Sequence, residues 1–249
     1  MGYWPVVLDM MRNIDIAVIV ADARMPELSL NLELLDKINQ MRLPFVVVFT
    51  KKDLATSEHL ARLAKEYPDS LIVSGTKNEG VKNLKIKLQI IAKRFGIEEA
   101  RVGIVGYPNL GKSALINALV HRSRTEVSSK PGTTRGVQWV KCGDLRILDS
   151  PGVIPFEDKN NRLVLIGSKS PDKLRVPDKS AQEIIKMFLI ENPEKLKEFY
   201  GIEIKSRDPY EVMLEIGEKR RFLKRKAEID EDRTARTIIR EWQGGKLRL

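Results

Sequence analysis

Residues Gly106–Ser113 (GYPNLGKS) satisfy the pattern G-x-x-x-x-G-K-[ST], directly after the apolar run RVGIV and directly before the segment SALINALV. A strand that turns through glycines into a helix is the context this pattern needs. Glycines let the backbone curl so that successive N–H groups face phosphate oxygens, and the helix N-terminus adds a partial positive charge. The feature demands an α/β domain and predicts a phosphate site on Asn109, Leu110, Gly111, Lys112, Ser113 and Ala114. Lys112 is expected on the β- and γ-phosphates and the Ser113 hydroxyl on Mg²⁺.

The rest of the chain alternates as such a domain should. Apolar runs at 14–20, 45–49, 71–73, 102–105, 137–142 and 145–148 read as strands, with helices near 29–39, 57–67, 81–95 and 112–122. Runs such as IAVIV and PFVVVF are apolar continuously, as in a parallel sheet covered on both faces. Residues 163–167 (LVLIG) are expected to finish the sheet. After Pro171 the pattern becomes helical, at 180–189, 193–200, 210–223 and 230–242. In the last, Ala235, Ile238, Ile239 and Trp242 share one face, Asp230 and Asp232 suit its start, and Gly244-Gly245 ends it. The sequence therefore predicts a domain over 1–172 and a small all-α domain over 173–249.

Three further segments complete a nucleotide site. Asp149-Ser150-Pro151-Gly152 follows a strand, so Asp149 can reach a metal opposite the phosphate loop and the Gly152 amide can bond the γ-phosphate. Between them lies KPGTTRG (130–136), where Thr134 is chosen as a γ-phosphate-dependent Mg²⁺ ligand, with Thr133 the alternative. Thr50-Lys51-Lys52-Asp53 ends the strand FVVVF. The Asp53 carboxylate accepts two hydrogen bonds, matching the N1–H and exocyclic amine that guanine displays and adenine does not. The Lys51 stem is expected to lie flat on the base, and Ser74-Gly75-Thr76 to offer backbone N–H groups to its O6. An ATP-using enzyme would require that Asp53 not read the base.

Composition narrows the rest. No stretch approaches the roughly 20 apolar residues that span a bilayer. The opening MGYWPVV has neither a basic n-region nor the Ser or Thr of a myristoylation signal. The one cysteine, Cys142, excludes an internal disulfide and reads as a buried strand residue, and the two histidines make histidine-based metal chemistry improbable. A net charge of +10 points to a polyanionic partner. Residues 176–249 hold only +2 of it, yet KRRFLKRK (219–226) carries six cations in eight residues, either a solvated helix face or a phosphate-binding one.

Taken together, the motifs resemble the GTPase set in an unusual order. The base-reading TKKD and SGT come first, then GYPNLGKS, PGTTRG and DSPG. That order marks the circularly permuted GTPases, and the chain resembles their YlqF/YawG family. IDIAVIVADARMP, with its D-A-R-x-P, and DRTARTIIREWQGGKL extend the resemblance over nearly the whole chain. It implies a three-layer α/β/α GTPase domain followed by the helical domain. It also implies hydrolysis of GTP to GDP with Mg²⁺, catalysed around Lys112, Thr134 and Gly152, in assembly of the large ribosomal subunit. Ribosomal RNA would meet the helical domain at Lys219, Arg220, Arg221, Lys224, Arg225, Arg233, Arg236 and Arg240. A cytoplasmic monomer with no membrane partner is expected. Asn109 resembles the residue with which some GTPases hold K⁺, or is an ordinary turn-forming asparagine. Thr50 stands where Asn is commoner, which predicts one lost amide contact. Val153 stands where many GTPases have a water-orienting glutamine, and no histidine lies in Met1–Asn13 to replace it, which implies slow intrinsic hydrolysis that K⁺ and the ribosomal particle stimulate. The alternative is an RNA-binding assembly factor that uses GTP as an affinity switch with negligible turnover.

Overall fold

The computed structural model describes residues 4–121, 139–150, 152–154 and 160–249. The chain divides into two compact units, Met1–Glu157 and Asp158–Leu249.

The first unit opens with α1 (Trp4–Arg12) and enters β1 (Ile16–Asp22), whose seven residues are all buried. Two helices, α2 (Pro26–Ser29) and α3 (Leu32–Gln40), lead to β2 (Phe45–Thr50), then α4 (Ser57–Glu66), β3 (Leu71–Ile72) and α5 (Val81–Arg94). After a short turn come β4 (Ala100–Gly106), α6 (Lys112–His121) and the hairpin strands β5 (Trp139–Cys142) and β6 (Leu145–Asp149). The sheet order is β3-β2-β1-β4-β6-β5, parallel except for the β5–β6 pair. The chain thus starts mid-sheet, builds outward to β3, then returns to lay β4 on the other side of β1. A reversal of this kind leaves a crevice beyond the carboxyl ends of the strands, where α/β sheets bind ligands. The register pairs Asp22 with Thr50 and Val20 with Gly106, so all three loops leave the sheet at one edge.

Helix α1 was not legible in the sequence. It is short, and its identity comes from burial of Val7, Met10 and Met11 in the core with Ile14, Leu34, Ile38 and Phe49. Two of the helices that follow carry ordinary start signals: Asn31 accepts from the Leu34 N–H and Thr56 from the His59 N–H. Cys142 is buried in β5.

The second unit is helical: α7 (Asn160–Leu165), α8 (Asp178–Glu191), α9 (Pro193–Tyr200), α10 (Pro209–Lys219) and α11 (Glu231–Gln243). Its core joins Ile184, Ile185 and Phe188 of α8 to Val212, Met213 and Ile216 of α10 and to Ile238, Ile239 and Trp242 of α11. Trp242 meets Phe188 edge to face at 5.9 Å.

Two expectations change here. Residues 163–167 do not finish the sheet; most of them form the end of α7. A short continuous apolar run fits a buried helix as well as a strand, and tertiary bonds decide: Trp242 Nε1–H donates to the Leu165 carbonyl at 2.8 Å and Gln243 Nε2–H to that of Val164 at 2.7 Å. These bonds place the segment in the second unit, so the division falls after Glu157 rather than near Pro171–Pro177. The run 219–226 is not a helix face either. Helix α10 stops at Lys219, and the chain turns through Arg221 at φ 54°. It then closes on itself by an antiparallel bridge between Leu223 and Ile229. No helix among the described residues is long and apolar enough to cross a membrane.

Candidate functional site

The phosphate loop grows out of β4 at Gly106, whose φ is 151°. A Cβ there would lie 2.5 Å from the Val20 carbonyl oxygen, so β1 and β4 approach this closely only because the residue is glycine. Asn109 (φ 59°) and Gly111 (φ 89°) both adopt left-handed backbone, which turns the loop into the first residue of α6. Lys112 is buried, and its ammonium donates to the carbonyls of Tyr107 at 2.8 Å and Gly106 at 3.3 Å. The loop thus holds its own cation at its mouth, beside the N-terminal amides of a ten-residue helix. That is an anion site assembled in advance.

The segment 152–154 is seated on this loop. A Cβ on Gly152 would fall 2.5 Å from the Pro108 nitrogen, so no other residue fits without moving the phosphate loop. The Val153 N–H donates to the Gly106 carbonyl at 3.1 Å and the Ser150 hydroxyl to that of Ile104 at 2.7 Å. The Val153 side chain is buried in the core, so it presents nothing to orient a water. Asp149 ends β6 opposite Ile104 in the β4–β6 register, and its side chain lies outside the described residues, as do Thr133 and Thr134. Among the residues expected at Mg²⁺, Ser113 is therefore the one whose side chain is placed, exposed in the first turn of α6.

The base-reading segments converge on the same loop. The Asp53 carboxylate accepts from the Ser74 hydroxyl at 2.5 Å, and Ser74 in turn accepts from the Lys77 N–H at 3.0 Å and lies 3.1 Å from the Thr76 hydroxyl. A Cβ on Gly75 would lie 2.8 Å from the carbonyl carbon of Ala114, so the 74–76 turn packs directly against the first turn of α6. The turn that carries Ser74 and the helix that leaves the phosphate loop share one wall.

Thr50 and Lys51 also make contacts within the protein. Thr50 is buried, and its hydroxyl lies within bonding distance of the carbonyls of Ala21 and of Leu110 in the phosphate loop. A hydroxyl carries one proton and so serves one carbonyl at a time. Thr50 ties β2 to the phosphate loop. The Lys51 backbone is left-handed (φ 60°), and its ammonium pairs with Asp22 at 2.8 Å. Asp22 is also gripped by Arg24, whose Nε and Nη2 donate to its two oxygens at 3.1 and 2.9 Å. Burial alone would raise the Asp22 pKa; Arg24 and Lys51 outweigh it and hold the carboxyl well below the usual range. Burial pulls the Lys51 ammonium down, against the attraction of Asp22.

Asp22 and Arg24 were not among the expected site residues. The signal was a charged D-A-R at the end of a wholly apolar strand, where buried charges need partners.

The cations expected to meet RNA divide into two groups. Arg236 is bonded to Asp232 and to the carbonyls of Pro171 and Leu174, Arg240 to Asp172, and Arg220 lies 3.6 Å from Glu241. Arg233 stacks over the Phe222 ring at 4.4 Å. Lys219, Arg221, Lys224 and Arg225 stay at the surface.

The family described as 50S ribosome-binding GTPase matches residues 101–213. An uncharacterized GTP-binding protein of Methanocaldococcus jannaschii is 35% identical over 94% of this chain, which spans 62% of that protein's length. Ribosome biogenesis GTPase A of Bacillus cereus is 30% identical over 97% of this chain and 86% of its own. The same-named protein of Bacillus pumilus is 31% identical over 94% and 89%. Among solved structures, GNP-bound YlqF from T. maritima superposes with a TM-score of 0.63 over 98% of this chain and 94% of its own, at 23% identity, and so shares the fold. Sheet order, motif order and relatives agree: the chain belongs to the YlqF family of circularly permuted ribosome biogenesis GTPases.

Proposed function

We propose that this chain binds GTP across the crevice at the β1–β4 switch and hydrolyses it to GDP during assembly of the large ribosomal subunit. The observation that carries this reading is the seating of Gly152 on Pro108 and of Gly75 on Ala114, which gathers the three nucleotide segments around one loop. Asp53, oriented by Ser74, reads the guanine edge. The amides of Asn109–Ala114 and the Lys112 ammonium bind the β- and γ-phosphates, and the Gly152 N–H bonds the γ-phosphate. Phosphoryl transfer asks mainly for positioning and charge neutralisation, and these groups supply both. The donor set is oxygen-based and suits a hard cation. Mg²⁺ would be held by Ser113 with Asp149 and Thr134, and K⁺ by Asn109; both would neutralise phosphate charge.

Turnover by the chain alone is slow, because the side chain that follows Gly152 is a buried valine. The chain acts as a cytoplasmic monomer. Its nucleotide state governs contact with ribosomal RNA, made in the second unit through Lys219, Arg221, Lys224 and Arg225. Hydrolysis measured with and without large-subunit precursors, in K⁺ and in Na⁺, tests this. Both the particle and K⁺ should raise the rate. A rate raised by neither leaves the second reading that the buried Val153 favours: an RNA-binding switch with negligible turnover.

A further inference from the structure

Among the helices of the described residues, α5 has the largest excess of cations over acids. Its sequence, VKNLKIKLQIIAKR, carries five cations and no acid. Val81, Leu84, Leu88 and Ala92 are buried and fasten one face to the sheet. The opposite face exposes Ile86 and Ile90, one turn apart, at 44% and 59%. At 3.6 residues per turn, Lys82 and Lys93 fall along one side of this apolar stripe, and Lys87 and Arg94 along the other. All four are exposed. Among the described residues none of the five cations is in an ion pair, whereas three of the arginines expected to contact RNA are tied to acids in the second unit.

The geometry points to the outer face of α5 as a docking surface for double-helical RNA, a contact in the nucleotide unit separate from the one in the helical unit. The match is one of charge and shape. An A-form minor groove is wide and shallow, lined by ribose and bordered by two phosphate rows. A single-file apolar stripe between two rails of cations presents the complementary surface. An interfacial membrane helix needs a broad apolar face sunk into the lipid. Here four of the apolar residues of α5 already face the core. The choice of RNA rests on the reading of this chain as a ribosome-assembly GTPase; the surface itself does not.

The experiment uses the full chain, a fluorescent RNA duplex of about 16 base pairs, enough to present two minor grooves, and vesicles of phosphatidylserine and phosphatidylcholine. The quadruple variant Lys82→Gln, Lys87→Gln, Lys93→Gln, Arg94→Gln should weaken duplex binding. It should also reduce the slope of log affinity against log salt by about four, one for each phosphate contact removed. GDP affinity and the thermal midpoint should not move. Ile86→Ser with Ile90→Ser should weaken binding while leaving that slope in place. An unchanged slope in the quadruple variant overturns the proposal, as does binding to vesicles without binding to the duplex. If the slope falls as expected but precursor particles do not stimulate hydrolysis, the α5 surface stands and the proposed function fails.

Discussion

The two halves of the nucleotide site are organised by different parts of the chain. On the phosphate side the backbone does the work: left-handed residues at Asn109 and Gly111, close approaches at Gly106 and Gly152, and one lysine bonded to the loop's own carbonyls. On the base side, side chains hold side chains: Ser74 on Asp53, and Asp22 between Arg24 and Lys51. Apart from Gly152, the first arrangement is compact in sequence, and under the proposed function it is indifferent to which base is attached. The second draws on three separate segments, and under that function it is the part that discriminates. Substitutions should therefore separate into base-independent and base-dependent losses.

The largest effect should come from Lys112→Ala. Removing charge-assisted bonds to two phosphates, each worth about 1.5–3 kcal/mol, should weaken GTP and XTP alike by roughly a thousandfold in fluorescent-nucleotide titrations, and GDP, which lacks the γ-phosphate, by less. A loss confined to guanine nucleotides would break the comparison. Asp22→Asn should come next. It removes the acid from a buried cluster with two cations, at a cost of about 3–5 kcal/mol in unfolding free energy.

The same group sets a pH dependence. Its folded pKa lies below the unfolded value, so its contribution is present above the unfolded pKa, about 3.9, and is lost as pH falls from there toward the folded pKa. Denaturant melts across acid pH should show that loss in the native chain and a flatter profile in Asp22→Asn.

Asp53→Asn should reduce GTP affinity by about a hundredfold, from two guanine bonds to a charged acceptor, and should raise affinity for XTP. Equal losses for both nucleotides would mean that Asp53 supports the loop and does not read the base. The smallest effect should be that of Ser74→Ala. It leaves Asp53 charged but unsteered, and should cost GTP binding about 1 kcal/mol. In the Asp53→Asn background, the same change should leave XTP binding unaltered.

The same division explains what was legible. The phosphate loop is one contiguous stretch whose chemistry depends on glycine and lysine at set spacing, so it was readable directly. Asp53 and Ser74 could be singled out as candidates because each follows an apolar strand. For Thr50 the residue type indicated only that an asparagine amide is replaced, and the packing of β2 beside Leu110 shows where the hydroxyl goes. Asp22 and Arg24 needed the β1–β2 register before they could be connected to Lys51. In the second unit, LVLIG carried no period that separates strand from helix, and KRRFLKRK gave charge without conformation.

By itself the sequence determined a guanine-nucleotide site, a parallel sheet to carry it, the permuted order of its motifs and a helical second unit. These depend on local rules: hydrophobic period, glycine conformation, and the fit of lysine and aspartate to phosphate and guanine. Only the tertiary structure decided which charges are spent inside the molecule and which face outward. Arg236, Arg240 and Lys51 are held by acids, two of which stand far from them in sequence, while among the described residues the α5 lysines make no ion pair. The physical reason is that a side chain's charge is fixed by its type, but its availability depends on what the fold places within about 4 Å of it.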